Sequence, residues 1–217
     1  MGSDKPKQYL TIGNKTVLEH TLNRLLSLPA IDSVHVAISK NDTCFDSLDL
    51  PKGVCRVEGG AERYDSVLNG LKAIAPHVKA DDWVLVHDAA RCCVMPENIQ
   101  RLIDELKLDP VGGLLALPAS DTLKEVDEDG RVSCTIDRSI IWQAQTPQLF
   151  RYSVLLHALE ASVVKGFPIT DEASAMEQAG YRPKLIPGRR DNIKITTPED
   201  LALAEFIYQQ SSRGISD

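Results

Sequence analysis

Residues 82–107 read DWVLVHDAARCCVMPENIQRLIDELK. The stretch opens on a buried strand signal, DWVLVHDAA (82–90), which breaks into a polar turn at its carboxyl end. PENIQRLIDELK (96–107) then reads as a helix with proline near its start, where the missing N–H costs least. The same rhythm extends both ways. VHVAI (34–38) and GVCRVEG (53–59) read as strands, and AERYDSVLNGLKAIA (61–75) as an amphipathic helix. In TVLEHTLNRLLSL (16–28), Val17, Leu18, Thr21, Leu22, Leu25 and Leu26 recur at spacings of three and four, the period of a half-buried helix. Downstream lie a core strand, GGLLALP (112–118), a helix at 152–164, a short helix in TDEASAMEQAG ended by Gly180, and a strand around 182–187. Such alternation predicts an α/β protein with a mostly parallel sheet flanked by helices. No repeat or linker divides it, so 1–217 is expected to form one domain.

Residues 119–150 interrupt the pattern. DTLKEV-DEDG-RVSCTI (121–136) sets two β-rich segments around a turn, a hairpin signal. Asp127 and Asp129 form a D-x-D, but Gly130 supplies the positive φ of a solvated turn. Two strands alone are marginal in water, so the arm at 119–138 is expected to pack on another subunit. Near the carboxyl end, Thr197 suits an N-cap, Pro198 the first helical position and Asp200 the capping-box position. A short strand carrying Lys194 is expected just before that helix.

The formal net charge of −7, without any Lys/Arg-rich run, argues against a nucleic-acid surface. A polyanionic small molecule then requires local convergence of basic groups or help from a divalent cation. No apolar run approaches a bilayer span and no signal segment opens the chain, so no membrane partner is expected. Five cysteines without C-x-x-C spacing read as reduced thiols in the cytoplasm. The histidines show no pairing that suggests a protein-built zinc site.

Ligands in open α/β sheets sit beyond the carboxyl ends of the strands. Those ends carry Gly59–Gly60–Ala61 with Arg63 and Ser66, Asp88–Ala89–Ala90–Arg91, Pro118 to Thr122, and Asp191 to Lys194. Two glycines before a helix are either a simple turn or a loop whose N–H groups approach a nucleotide. Asp88 either caps a turn with Arg91 as its partner, or meets Mg²⁺, a ribose or a substrate hydroxyl. Lys194 alone would be a solvated side chain. Gathered together, Lys7, Arg91, Arg138 and Lys194 would make a positive site in an acidic protein, suited to a phosphate-rich substrate pair.

KPKQYL.IG.KTVLEH, GG.ER.DSVLNGL, VLVHDAAR, DTLKEV, IDRS..W.AQTPQLF, TDEASAME and DNIKITTPEDLALAE follow one another in this order. In these motifs the chain closely resembles the 2-C-methyl-D-erythritol 4-phosphate cytidylyltransferase family, from Lys5 to about Tyr208. The resemblance implies a nucleotidyltransferase-type (Rossmann-like) fold, and a reaction of CTP with a sugar-alcohol phosphate, with Mg²⁺ bound mainly through the CTP phosphates. It assigns catalytic roles to Lys7, Arg138 and Lys194. Gly60, Ala61, Ser66, Asp88 and Ala89 would line the nucleotide site, with Asp88 also near the metal. Arg91, Thr122, Thr146 and Thr170 would hold the acceptor phosphate.

The family is a homodimer whose projecting β-arm reaches the partner's site, so Arg138 and Thr122 would serve the neighbouring subunit. In the family a first strand and a glycine-rich loop precede KPKQYL. They have no counterpart in the sequence as written, and losing a central strand should expose sheet edges; the expectation is that this segment belongs to the molecule. Ala61 and Cys92 stand where the family commonly has an acidic residue and a proline. Three rivals remain: a ribitol 5-phosphate cytidylyltransferase, a glycosyltransferase of the related fold, and a loop-deficient nucleotide-binding dimer without catalysis.

Overall fold

Thr16 fixes where the first helix begins. In the computed structural model, which describes residues 6–213, its hydroxyl accepts the Glu19 N–H at 3.2 Å while the Glu19 carboxylate accepts the Thr16 N–H at 2.7 Å. This reciprocal cap satisfies donors that a helix start leaves unpaired. Before it come a 3₁₀ turn, Lys7–Tyr9, and the tiny hairpin β1 (Thr11–Ile12) and β2 (Lys15–Thr16); after it runs α1 (Val17–Leu26). Then follow β3 (Val34–Ile38), β4 (Val54–Glu58), α2 (Arg63–Ile74), β5 (Trp83–Val86), α3 (Pro96–Leu106) and β6 (Gly112–Pro118). The arm is β7 (Leu123–Val126) and β8 (Val132–Ile136), after which β9 (Trp142–Arg151) returns to the body. The chain closes with α4 (Tyr152–Lys165), α5 (Glu172–Gln178), β10 (Lys184–Pro187) and α6 (Pro198–Arg213). The strands expected at 34–38 and 112–118 form over those residues.

The α/β architecture stands, with helices flanking a central sheet in which one strand runs against the others. The order is β10-β6-β9-β5. β10 runs parallel to β6, whereas β9 is antiparallel to both β6 and β5. Three of the four strands therefore point one way, with one reversed strand inserted among them. The reversal follows from the arm, which sends the chain back toward the body. β9 is poorly marked in sequence because it carries Gln143, Gln145, Gln148 and Pro147 instead of an apolar alternation. Pro147 is tolerated because it lies where the β6–β9 register shifts, between Leu114 and Ala116, and a bulge frees a residue from the ladder.

Parallel strands β3 and β4 form a separate pair. On one face Leu18 and Leu22 of α1 pack on Val36 and Ile38. On the opposite side of the molecule α4 and α5 bury Leu155, Leu159 and Met176 against Phe150 and Leu71. α3 lays Leu102 and Leu106 on Leu115 and Ile186. β6 and β10 approach so closely that a Cβ on Gly113 would run into the Lys184 carbonyl.

The expected strand around Lys194 is a loop. Its main-chain groups are used elsewhere: the Asp200 carboxylate accepts the N–H groups of Thr196 and Thr197, both at 2.8 Å, and Ile195 donates to the Ala90 carbonyl at 2.9 Å. The arm's turn is stitched by Asp127, whose Oδ1 accepts from Asp129 N–H at 3.1 Å and Arg131 N–H at 2.8 Å. Gly130 there has φ of 75°. Asp127 thus caps a turn, as its sequence context suggests. Among the described residues no helix is long and apolar enough to cross a membrane.

Candidate active site

Asp88 is the hub of the site. It follows β5, and its N–H donates to the Thr146 hydroxyl at 3.0 Å. Three cations converge on its carboxylate: Arg63 Nε on Oδ1 at 3.2 Å, and Arg91 Nε and Lys194 Nζ on Oδ2 at 3.3 and 3.1 Å. Burial alone would disfavour the charge, but the cations outweigh it and hold the Asp88 pKa down at about 2. The carboxylate is therefore ionised at any physiological pH.

Each cation is delivered by a different element. Arg63 opens α2, directly after the Gly59–Gly60 loop, where the Gly60 N–H donates to Ser66 Oγ at 3.0 Å. Its guanidinium is gripped from behind by Glu172, with Nη1–Oε1 at 2.6 Å and Nη2–Oε2 at 3.0 Å, a bidentate fork. Glu172 is fully buried in the first turn of α5; burial pushes its carboxyl upward while Arg63 pulls against that. Arg91 is pinned by donation to the Asn192 carbonyl at 2.8 Å. Lys194 rides the loop before α6, which is tied down by Asn192 Nδ2 on the Thr146 carbonyl at 2.9 Å and Gln145 Nε2 on the Arg189 carbonyl at 2.9 Å. The glutamine and asparagine that obscure β9 and this loop in sequence are thus what fix the site.

His87 lies beneath, with Nδ1 against Thr146 Oγ1 at 3.0 Å and Nε2 against the Arg91 carbonyl at 3.1 Å. Burial lowers its pKa to about 4, so the ring is neutral and structural rather than a proton carrier at pH 7.

Two cavities meet at this hub. A smaller one of about 270 Å³ is lined by Arg63, Asp88, Arg91, Thr146, Thr170 and Lys194, among others. Lys7, Ser66, Asp88, Ala89 and Lys194 are among the residues that line a larger one. Gly60 stands beside it through its bond to Ser66, and Ala61 is exposed on the same loop. Of the residues expected at the site, Gly60, Ala61, Thr122 and Arg138 line neither cavity, and Arg138 and Thr122 lie away from them. Both are exposed at the base of the arm, where the Arg138 guanidinium donates to the Ser120 carbonyl. Sequence reading named Arg63 beside the glycine pair but gave it no role, and missed Glu172. No local signal marks Glu172, because its partner Arg63 is brought to it only by folding.

Among the described residues no three His, Cys, Asp or Glu side chains gather to hold a metal. Asp88 offers one carboxylate already shared among three cations. A lone carboxylate of this kind fits a divalent cation only if substrate phosphates carry most of its ligation.

Strand ends that present a glycine loop on one side and three converging cations on the other define a nucleotidyltransferase, a class in which phosphates must be gathered and aligned. The chain belongs to the 2-C-methyl-D-erythritol 4-phosphate cytidylyltransferase family, whose model matches residues 1–210. It is 54% identical over 204 residues to the 2-C-methyl-D-erythritol 4-phosphate cytidylyltransferase of Pseudomonas aeruginosa, covering 93% of this chain and 87% of that one. The enzyme of the same name from Aliivibrio fischeri is 49% identical over 215 residues, covering 98% and 90%. A crystal structure of 4-diphosphocytidyl-2C-methyl-D-erythritol synthase superposes with a TM-score of 0.85 at 42% identity, over 94% of this chain and 95% of that one. The Francisella tularensis 2-C-methyl-D-erythritol 4-phosphate cytidylyltransferase gives 0.82 at 39% identity, over 94% of both chains.

Proposed function

We propose that this protein transfers CMP from CTP to 2-C-methyl-D-erythritol 4-phosphate, releasing pyrophosphate, in non-mevalonate isoprenoid biosynthesis. The observation that carries this reading is the convergence of Arg63, Arg91 and Lys194 within 3.1–3.3 Å of one carboxylate, in a chain of net charge −7. An oxygen of the acceptor phosphate attacks the α-phosphorus of CTP. The bond from that phosphorus to the α–β bridging oxygen breaks, and its electron pair leaves with pyrophosphate. No covalent enzyme intermediate is needed, so the protein acts by alignment and by stabilising charge.

In this reading Lys7 faces the triphosphate and Lys194 the reacting phosphates. Gly60, Ala61, Ser66 and Ala89 surround the cytidine, and Arg91, Thr146 and Thr170 take the acceptor phosphate, whose oxygens suit arginine's planar fork. Asp88 spaces the three cations and would meet the nucleotide sugar and a divalent ion. A divalent ion, when bound on the phosphates, neutralises charge on the leaving group; Asp88 is the side chain that would touch it. The reaction belongs to the cytoplasm.

The test is pyrophosphate release from CTP and Mg²⁺ with each of two acceptors. Methylerythritol phosphate is expected to be turned over far faster than ribitol 5-phosphate. The reverse preference would overturn the substrate assignment, and nucleotide binding without release would favour the non-catalytic dimer.

Arg138 and Thr122 enter the same reading through a homodimer. The arm exposes Val126 and Val132, a cross-strand pair 57% and 60% accessible, and Ile140 at its base is 76% accessible; a partner subunit would cover such apolar surface. Docked on a second subunit, the arm would deliver Arg138 to that subunit's acceptor phosphate. Mixing Lys7→Ala and Arg138→Ala proteins, each nearly inactive alone, is then expected to restore activity, because one composite site of each mixed dimer keeps both residues. Exchange of subunits without recovery would return Arg138 to its own chain.

A further inference from the structure

Among the described residues Glu172 is the only carboxylate with no exposed surface. Both of its oxygens are taken by one partner, the terminal nitrogens of Arg63. A third edge of that guanidinium donates through Nε to Asp88 Oδ1 at 3.2 Å. A planar group held by a fork at one end and a further bond on its side is fixed in position and in tilt. Two of its five N–H groups, one on each terminal nitrogen, have no partner among the described residues. Arg63 lines both cavities, so these donors stand where nucleotide and acceptor would meet.

The anchor behind the fork is braced. Glu172 sits in the first turn of α5, and Gln148 of β9 straps that turn twice: its Nε2 donates to Asp171 Oδ2 at 2.9 Å and its Oε1 accepts the Ala173 N–H at 2.8 Å. The Ser174 hydroxyl accepts the Thr170 N–H at 3.1 Å, and Asp171 Oδ1 accepts the Ser174 N–H at 2.9 Å. Thr170, which lines the smaller cavity, therefore belongs to the same braced turn as Glu172. Arg63 follows the Gly60 loop and opens the helix that carries Ser66. The ion pair thus joins, across 109 positions of sequence, the turn assigned to the acceptor phosphate and the loop assigned to the nucleotide. Stability alone does not account for it. Desolvating two charges offsets most of their attraction, and an apolar pair of similar volume serves stability as well or better. What the fork supplies is one geometry.

We propose that Glu172 is a positioning residue for the transfer, which fixes the Arg63 guanidinium between the two cavities and so holds the nucleotide loop in register with the acceptor turn. The inference rests on the cytidylyl-transfer reading above. Glu172 itself lines neither cavity, so it acts only through Arg63. Loss of the fork leaves each substrate its own contacts but lets the two halves of the site shift against each other. The effect should therefore fall on kcat, the rate of reaction between two bound groups, and spare both KM values.

The measurement is steady-state pyrophosphate release from CTP, Mg²⁺ and methylerythritol phosphate, each substrate varied against saturating levels of the other, at a temperature where every variant is folded. Glu172→Gln keeps the shape and one acceptor but breaks the fork. Its kcat is expected to fall about 10–100-fold, with both KM values within about threefold of the parent's. Arg63→Lys keeps the charge without the planar fork and should lose as much. The double variant Arg63→Met, Glu172→Met separates position from stability: its melting temperature should equal or exceed that of Glu172→Gln, while its kcat stays low. A near-normal kcat for Glu172→Gln or for Arg63→Lys would overturn the inference. So would a double variant that regains rate together with melting temperature, or a rise in the KM for methylerythritol phosphate alone, which would reduce Glu172 to a brace of α5. A parent that releases no pyrophosphate would instead overturn the functional reading, and this inference with it.

Discussion

Replacing Lys194 by alanine lowers turnover by roughly 10²–10³, the usual scale for one charge contact made in a transition state, and leaves the fold almost untouched. The second half of that statement makes the first informative. The Lys194 side chain is 39% exposed and its ion pair with Asp88 is 3.1 Å long, so its loss costs the folded state about 1 kcal/mol, a part of what the three cations together give Asp88. The loop that carries it is held by other groups: Arg91 and Gln145 bond to its carbonyls, and Asn192 reaches back to Thr146. Asp88 keeps both arginines. A melting temperature within about 4 °C of the parent, together with a collapsed rate, places the lysine on the reacting phosphates. Lys194→Arg should recover part of the rate, since charge returns with a different reach. A near-normal rate for Lys194→Ala would remove this residue from the chemistry.

The same site shows what a sequence conveys and what it withholds. Strands buried on both faces and helices with one apolar stripe announce themselves by period, so β3, β6, α1 and α3 were legible along with the α/β class. Asp88, Lys194 and the glycine pair were legible because ligands gather at strand ends. β9 was not, because its code is polar: Gln145, Thr146 and Gln148 are buried to make hydrogen bonds, and nothing in a local window tells a buried glutamine from a solvated one. Glu172 failed for the same reason. Its partner Arg63 lies far away in the chain, and a pair created only by folding leaves no spacing to read. The loop at Lys194 reads as a strand because Ile193 and Ile195 mimic alternation, whereas Asp200 claims the amides of Thr196 and Thr197. Arg138 and Thr122 remain apart from both cavities, and their assignment rests on an assembly that one chain does not contain.

Asp88→Asn should destabilise the protein by about 2–3 kcal/mol at pH 7, and this deficit should vanish in acid. The carboxyl is held at about 2 in the folded chain, against about 3.9 when unfolded, and that difference converts to the stated energy by linkage. For a depressed carboxyl the stabilisation is fully present above the unfolded value and drains as pH falls through the folded one. The parent therefore loses it between about pH 4 and pH 2, while the asparagine variant has none to lose. In melting temperature the gap is about 5–10 °C near neutrality for a chain of this size, closing toward zero at pH 2. Other carboxylates titrate in both proteins and cancel in the difference. A protonated Asp88 and the neutral amide that replaces it both leave the same three cations facing one another, so their mutual repulsion does not mask the closure. That repulsion gives a second readout: if Arg63, Arg91 and Lys194 form a phosphate site, pyrophosphate should raise the variant's melting temperature more than the parent's, because the added anion takes over the work of the lost carboxylate. A gap that stays constant from pH 7 to pH 2 would mean that Asp88 holds the turn after β5 by shape, through its N–H on Thr146, and not by gathering charge.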